Sequence, residues 1–173
     1  MNKSGLDVMI DNRETFAMIE NLIRKIERPE PLLQTVGKYI QTETNKMFAS
    51  GSRPDHSAVR GEKWPVLAES TIFKKRAMHK RGKLVGNSPD KPLVESGLLR
   101  DDLAAPRALK IERNGLVYGT ERRNKKGFLY PAMHQTGGKN LPKRRWLFLT
   151  ENDLNQICNT VKQWIEGIRM GIK

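Results

Sequence analysis

The sequence predicts an α+β fold: a single domain in which a small, twisted, mostly antiparallel sheet is covered by N-terminal helices and a C-terminal helix. Three observations lead there. Apolar residues recur at steps of three and four in two stretches before residue 50 and in one after residue 150, the period of amphipathic helices. Strand-like runs flank Asn114-Gly115, a pair suited to a two-residue hairpin turn because both positions tolerate positive φ. At 173 residues the chain suits one domain, and a chain of that size buries roughly two-thirds of the surface it exposes when unfolded.

Taken in order, Leu6, Val8 and Ile10 alternate with Asp7 and Met9, the pattern of a half-buried strand over 6–10. Asp11 and Glu14 have capping-box spacing. The helix they open places Phe16, Ile19, Leu22, Ile23 and Ile26 on one face and stops at Arg28-Pro29-Glu30-Pro31. A second helix carries the stripe Leu32, Leu33, Val36, Ile40, Met47 and Phe48, with Tyr39 alongside. Such a stripe packs on the domain's own sheet or meets a partner. Residues 49–63 are rich in Ser, Gly and Arg without apolar periodicity, and read as a mobile loop.

Trp64-Pro65-Val66-Leu67 returns to the core, and Ala68 to Met78 form a short helix expected to bury Ile72 and Phe73. Residues 79–91 are basic and broken by Gly82, Gly86 and Pro89, a second mobile loop. Ser96 can then cap a helical turn anchored by Leu98, Leu99 and Leu103. Strands are expected at 107–113 and 116–120, followed by a charged, mobile loop at 121–127. Tyr130 to Gln135 make one or two helical turns stopped by Gly137-Gly138. The run Trp146-Leu147-Phe148 can add a further strand. Thr150, Glu151 and Asp153 open the last helix with a cap and an acidic first turn. Leu154, Ile157, Val161, Trp164, Ile165 and Ile168 give that helix its apolar face.

The formal charge is +13, and it is unevenly placed. Residues 1–50 carry seven basic and seven acidic side chains, so the whole excess lies beyond them. It gathers in Lys74-Lys75-Arg76, in His79-Lys80-Arg81-Gly82-Lys83, in Arg122-Arg123-Asn124-Lys125-Lys126 and in Lys143-Arg144-Arg145. One such cluster reads as solvated surface; several together point to an anionic partner, either a nucleic acid or an acidic protein face. The lone cysteine, Cys158, excludes an intrachain disulfide. No signal-like segment and no apolar run of membrane-spanning length is present, so a soluble protein made in a cytoplasm, with no membrane partner, is expected.

A search for catalytic chemistry yields little. His56, His79 and His134 lack the helical zinc spacing, and no phosphate-cradling glycine loop or nucleophile elbow is present. Asp101-Asp102 are adjacent carboxylates, but helical neighbours diverge by about 100°. His134 reads best as a structural residue that fixes the glycine turn, since a catalytic role needs partners the sequence does not nominate. No cofactor, metal or catalytic residue is expected. Only 6% of residues are aromatic, which leaves no evident platform for stacking single strands and makes specific nucleic-acid readout a poor fit.

A series of short motifs runs through the chain. It comprises Trp64-Pro65-Val66-Leu67 with Thr71 and Lys74, Leu93-x-x-Ser96-Gly97-x-Leu99-Arg100, Val117-Tyr118-Gly119-Thr120, Tyr130-Pro131-Ala132-Met133-His134-Gln135 with Gly137-Gly138, and Pro142-x-Arg144 with Trp146-Leu147. In that order they resemble the phage virion morphogenesis family, the tail-completion proteins of Mu-like and P2-like phages. Arg145 stands where the family often has proline, Trp146 where it has phenylalanine, Ser96 where it has threonine, and Pro131 is an insertion. The resemblance implies a structural protein that completes a tail or a head–tail joint by binding a ring of virion proteins. It would act in a bacterial host's cytoplasm and then in the virion, encoded by a phage or prophage. The implied partners are tail or connector proteins, with self-assembly into a ring and non-specific contact with packaged DNA also open. Lys80, Arg81, Lys83, Arg122, Arg123, Lys125, Lys126, Lys143, Arg144 and Arg145 are the candidate docking residues, expected to form one face. The alternative is a sequence-independent DNA-binding protein that uses the same loops.

Overall fold

The computed structural model describes residues 13–51, 64–82, 90–94, 96–113 and 115–170. The strand expected at 6–10, and Lys83 with most of its loop, lie outside the described residues. The rest forms an α+β fold. Helix α1 spans Arg13–Ile26 and α2 spans Glu30–Lys46, with Pro31 in the first turn, where a missing N–H costs nothing. Helix α2 then widens into one π turn, Met47–Gly51, that delivers two consecutive apolar residues, Met47 and Phe48, to the core. Next come α3 (Glu69–Lys80), α4 (Leu98–Ala104), a 3₁₀ turn (Pro106–Ala108), strands β1 (Leu109–Glu112) and β2 (Gly115–Tyr118), α5 (Tyr130–Thr136) and α6 (Glu151–Met170).

The sheet is an antiparallel hairpin in which Leu109 faces Tyr118 and Ile111 faces Leu116. Helix α2 crosses it so closely that a Cβ on Gly37 would lie 2.5 Å from Leu109 Cδ1. Gln41 on the same helix donates to Leu103 O at 2.8 Å and Ala105 O at 3.1 Å, partners for carbonyls at the end of α4. Met47, Phe48, Trp64, Val94, Leu99, Leu103 and Trp146 make the core. Phe48 and Trp64 meet edge to face at 5.7 Å, a pairing that adds about 0.5–1.5 kcal/mol beyond burial.

Helix α6 packs on α2 and α1. Its start is a reciprocal cap: Thr150 Oγ1 accepts from Asp153 N at 3.1 Å, while Asp153 Oδ2 accepts from Thr150 N at 2.7 Å. Asp153 is buried because its other oxygen accepts from Tyr39 on α2, at 2.8 Å.

Four expectations need correction. Phe73 is 77% exposed, and Lys75 takes the inward place on α3, because its ammonium can donate to Lys91 O (2.6 Å) and Val94 O (3.3 Å). Ser96 does not cap α4; the N-cap is Gly97 at φ 77, a left-handed position that favours glycine, and Leu98 points outward. Trp146-Leu147-Phe148 is not a strand, because the N–H groups of Trp146 and Leu147 both donate to Gln135 Oε1, at 3.0 and 3.1 Å. The apolar face of α6 is only partly covered: Leu154 and Ile165 remain exposed. Among the described residues no helix is long and apolar enough to cross a membrane.

Candidate functional site

The motif segments at 64–66, 130–138 and 142–147 are far apart in sequence and are tied together by side chains bonding to backbone. Gly137 ends α5 at φ 78, and a Cβ there would crowd Lys143 at 3.1 Å, so the turn requires glycine. The neighbouring Gly138 bridges to Leu141. That turn brings the returning chain alongside α5, where Arg144 N donates to His134 O at 2.8 Å. Gln135 Oε1 accepts from the N–H groups of Trp146 and Leu147, and its Nε2 donates to Leu147 O. Trp146 Nε1 donates to Pro131 O at 3.1 Å, and Trp64 Nε1 donates to Arg145 O at 2.6 Å. Pro142 and Lys143 lie exposed on the way in.

His134 serves the turn through its backbone carbonyl, which accepts from Arg144 N. The ring sits edge-on to Tyr130 at 6.4 Å, and its buried Nδ1 has no hydrogen-bond partner among the described residues. Burial, with the Arg144 charge adding to it, lowers the imidazole pKa, so the ring is neutral near pH 7.

The described basic residues expected to dock fall into four environments. Arg144 is internal: 4% exposed, it donates from Nε to Pro65 O (3.0 Å) and from Nη2 to Val66 O (3.1 Å), and burial lowers its pKa. Arg122 is committed to Asp102, which also binds Arg107 and accepts from Thr120 Oγ1. The Arg122 hydrogen bond holds the Asp102 carboxyl far below the usual carboxylate range; burial opposes this and Arg107 reinforces it. Arg145 lies 4.9 Å over the Phe148 ring. Lys80, Arg81, Arg123, Lys125, Lys126 and Lys143 are exposed. The loop at 121–127, expected to be mobile, is stitched by Asn124, whose Oδ1 accepts from Lys126 N and Phe128 N, and by Arg123 donating to Gly127 O.

Part of this charge converges. A cleft of about 1080 Å³ opens beside α3, with Lys75 and Met78 from that helix, Arg122, Arg123 and Lys125 from the 121–127 loop, and Arg144 lining it. The single face expected for all three basic segments is therefore only partly assembled: Lys80, Arg81, Lys126, Lys143 and Arg145 do not line the cleft, so the described part of the 79–91 segment adds nothing to it. Asp101 pairs with Arg100, and among the described residues no group of three His, Cys, Asp or Glu side chains could hold a metal.

The sequence did hold clues to the two inward cations. Lys75 is three residues from both Ile72 and Met78, which puts it on their helical face. Arg144 is two residues before the buried Trp146 and shares its side of an extended chain. Comparison with known proteins finds no matching family model, no significantly similar curated protein and no significantly similar solved structure.

Proposed function

We propose that this chain is a structural virion assembly protein of the tail-completion type, which finishes a phage tail or head–tail joint by binding a ring of virion proteins. The observation that supports this reading is the convergence of its motifs. Trp64, Tyr130, His134, Gln135, Gly137, Arg144 and Trp146 carry much of the resemblance, and they meet in one hydrogen-bonded and packed unit. Unrelated short matches have no reason to meet. The reading gives the site no cofactor and no catalytic residue. The host cytoplasm and then the virion are its place of action.

The exposed cations Lys80, Arg81, Arg123, Lys125 and Lys126 are the residues offered to an acidic ring. Replacing them together with serine should leave the melting transition nearly in place, since all lie at the surface and the bond lost from Arg123 to Gly127 O is itself exposed. Joining of heads to tails should be lost. A variant that folds and still yields joined particles refutes the docking role. The net charge of +13 favours a second reading, sequence-independent DNA binding. The salt dependence of affinity separates the two: a DNA binder loses several decades between low and moderate salt, whereas an assembly protein binds its ring protein without DNA.

A further inference from the structure

The cleft beside α3 has a chemistry that a merely basic surface lacks. Its described lining contains cations but no carboxylate side chain. Arg144 carries the point furthest. Two backbone carbonyls take one hydrogen each from its Nε and Nη2, which leaves donors on Nη1 and Nη2 and does not neutralise its charge, and among the described residues it has no ion-pair partner. A desolvated guanidinium in that state is stabilised by an incoming carboxylate, which it can bind in a fork. Asp102 compensates Arg122, but Arg123 and Lys125 at the exposed edge have no carboxylate partner among the described residues. Apolar side chains run between the cations: Val66, Met78, Leu93 and Leu98. Val66 and Leu98 are 65% and 46% exposed, open to contact. Leu93 is held at φ 57, unusual for a bulky residue, by a turn whose flanking carbonyls bind Lys75.

We infer that this cleft binds an extended acidic segment of a partner protein, its aliphatic side chains seated on Val66, Leu93 and Leu98 and a carboxylate drawn to Arg144. The segment's source, a virion ring subunit, rests on the assembly reading; its chemistry rests on the cleft alone. A nucleic-acid strand fits less well. It brings negative charge but no aliphatic groups, and the aromatic rings among the cleft's described residues, Tyr130 and His134, are half-buried and packed edge-on against each other. A volume of about 1080 Å³ exceeds that of a small-molecule pocket and has room for several residues of extended chain.

The test is an array of random peptides probed with the purified full-length chain, followed by affinity measurements on the strongest binders. Two variants accompany it, Val66→Asp and the pair Arg123→Glu with Lys125→Glu, all at exposed positions that substitution leaves folded. The expected binders combine Asp or Glu with Leu, Ile or Val, and each variant weakens them by about tenfold or more, equivalent to about 1.4 kcal/mol. Selection of basic peptides, of acidic peptides without aliphatic residues, or of nothing overturns the inference. So does affinity that neither variant changes. Single-stranded DNA that binds more tightly than the best peptide, and loses affinity in the charge-reversed pair, assigns the cleft to nucleic acid instead. Self-association abolished by the same variants assigns it to a second copy of the chain. Peptides behaving as expected, while a phage lacking the gene still yields joined particles, would leave the cleft standing and remove the assembly reading.

Discussion

Gln135 offers the sharpest test of how the motif unit is held. Its Oε1 is the acceptor for two consecutive N–H groups, those of Trp146 and Leu147, and its Nε2 donates back to Leu147 O. Trp146 is buried and Leu147 half-buried, so water cannot fully replace a lost acceptor. Leaving a buried donor unsatisfied costs about 1–3 kcal/mol. Two donors, one of them half-exposed, put Gln135→Ala at about 2–5 kcal/mol, a large share of the 5–15 kcal/mol by which domains are typically stable. For a chain of this length each kcal/mol shifts the melting temperature by about 2–4 °C, so Tm should fall by roughly 4–20 °C. Gln135→Glu keeps the acceptor but places a carboxylate against Leu147 O, and should lie between the parent and the alanine variant. Urea melts followed by tryptophan fluorescence report on the site directly, since Trp64 and Trp146 both belong to it. A Gln135→Ala protein within about 0.5 kcal/mol of the parent would refute the reasoning. It would mean that the two N–H groups find partners elsewhere, as they would in a strand.

Three further outcomes are expected. Asp102→Asn should destabilise the chain by about 2–4 kcal/mol at pH 7, because Asp102 is buried and bound by two arginines, although Arg107 is mostly exposed and counts for less. The Asp102 pKa is depressed on folding, so its contribution is present above the ordinary carboxylate range and fades as pH falls; the gap between parent and variant in urea melts should narrow towards pH 2, and a pH-independent gap would contradict this. Gly37→Ala should destabilise by about 1–3 kcal/mol despite alanine's better helix propensity, because its Cβ meets Leu109, and pairing it with Leu109→Ala should make the two changes non-additive in a double-mutant cycle. Phe73→Ser should change stability by no more than about 0.5 kcal/mol in the same melts, since the ring is exposed.

The sequence made the regular parts of this fold legible and its irregular ties illegible. Asn-Gly located the hairpin to within a residue: Gly115, expected in the turn, instead starts β2 and pairs with Glu112. Gly137-Gly138 placed the end of α5, and Thr150 with Asp153 placed the start of α6, because each signal is local and has one backbone geometry behind it. Apolar period found α2 but misplaced Phe73, since in a short helix with few apolar residues the inward side is decided by what a single long side chain can reach. Lys75 reaches the carbonyls of Lys91 and Val94, and so turns Phe73 outward. The same limit applies to the site. A basic triplet reads as one surface, yet Arg144 points inward to Pro65 and Val66 while Lys143 stays outside and Arg145 covers Phe148. Gln135 was visible as a motif residue, but nothing local reveals that its amide takes the place of a strand neighbour for Trp146 and Leu147. Bonds from a side chain to distant backbone have no sequence period.

The most direct test of the proposed role is electron microscopy of particles from a phage that carries a deletion of this gene. The account predicts full heads and complete-length tails lying separate, with joining restored by the chain supplied from a plasmid. Normally joined particles would contradict it and move sequence-independent DNA binding to first place.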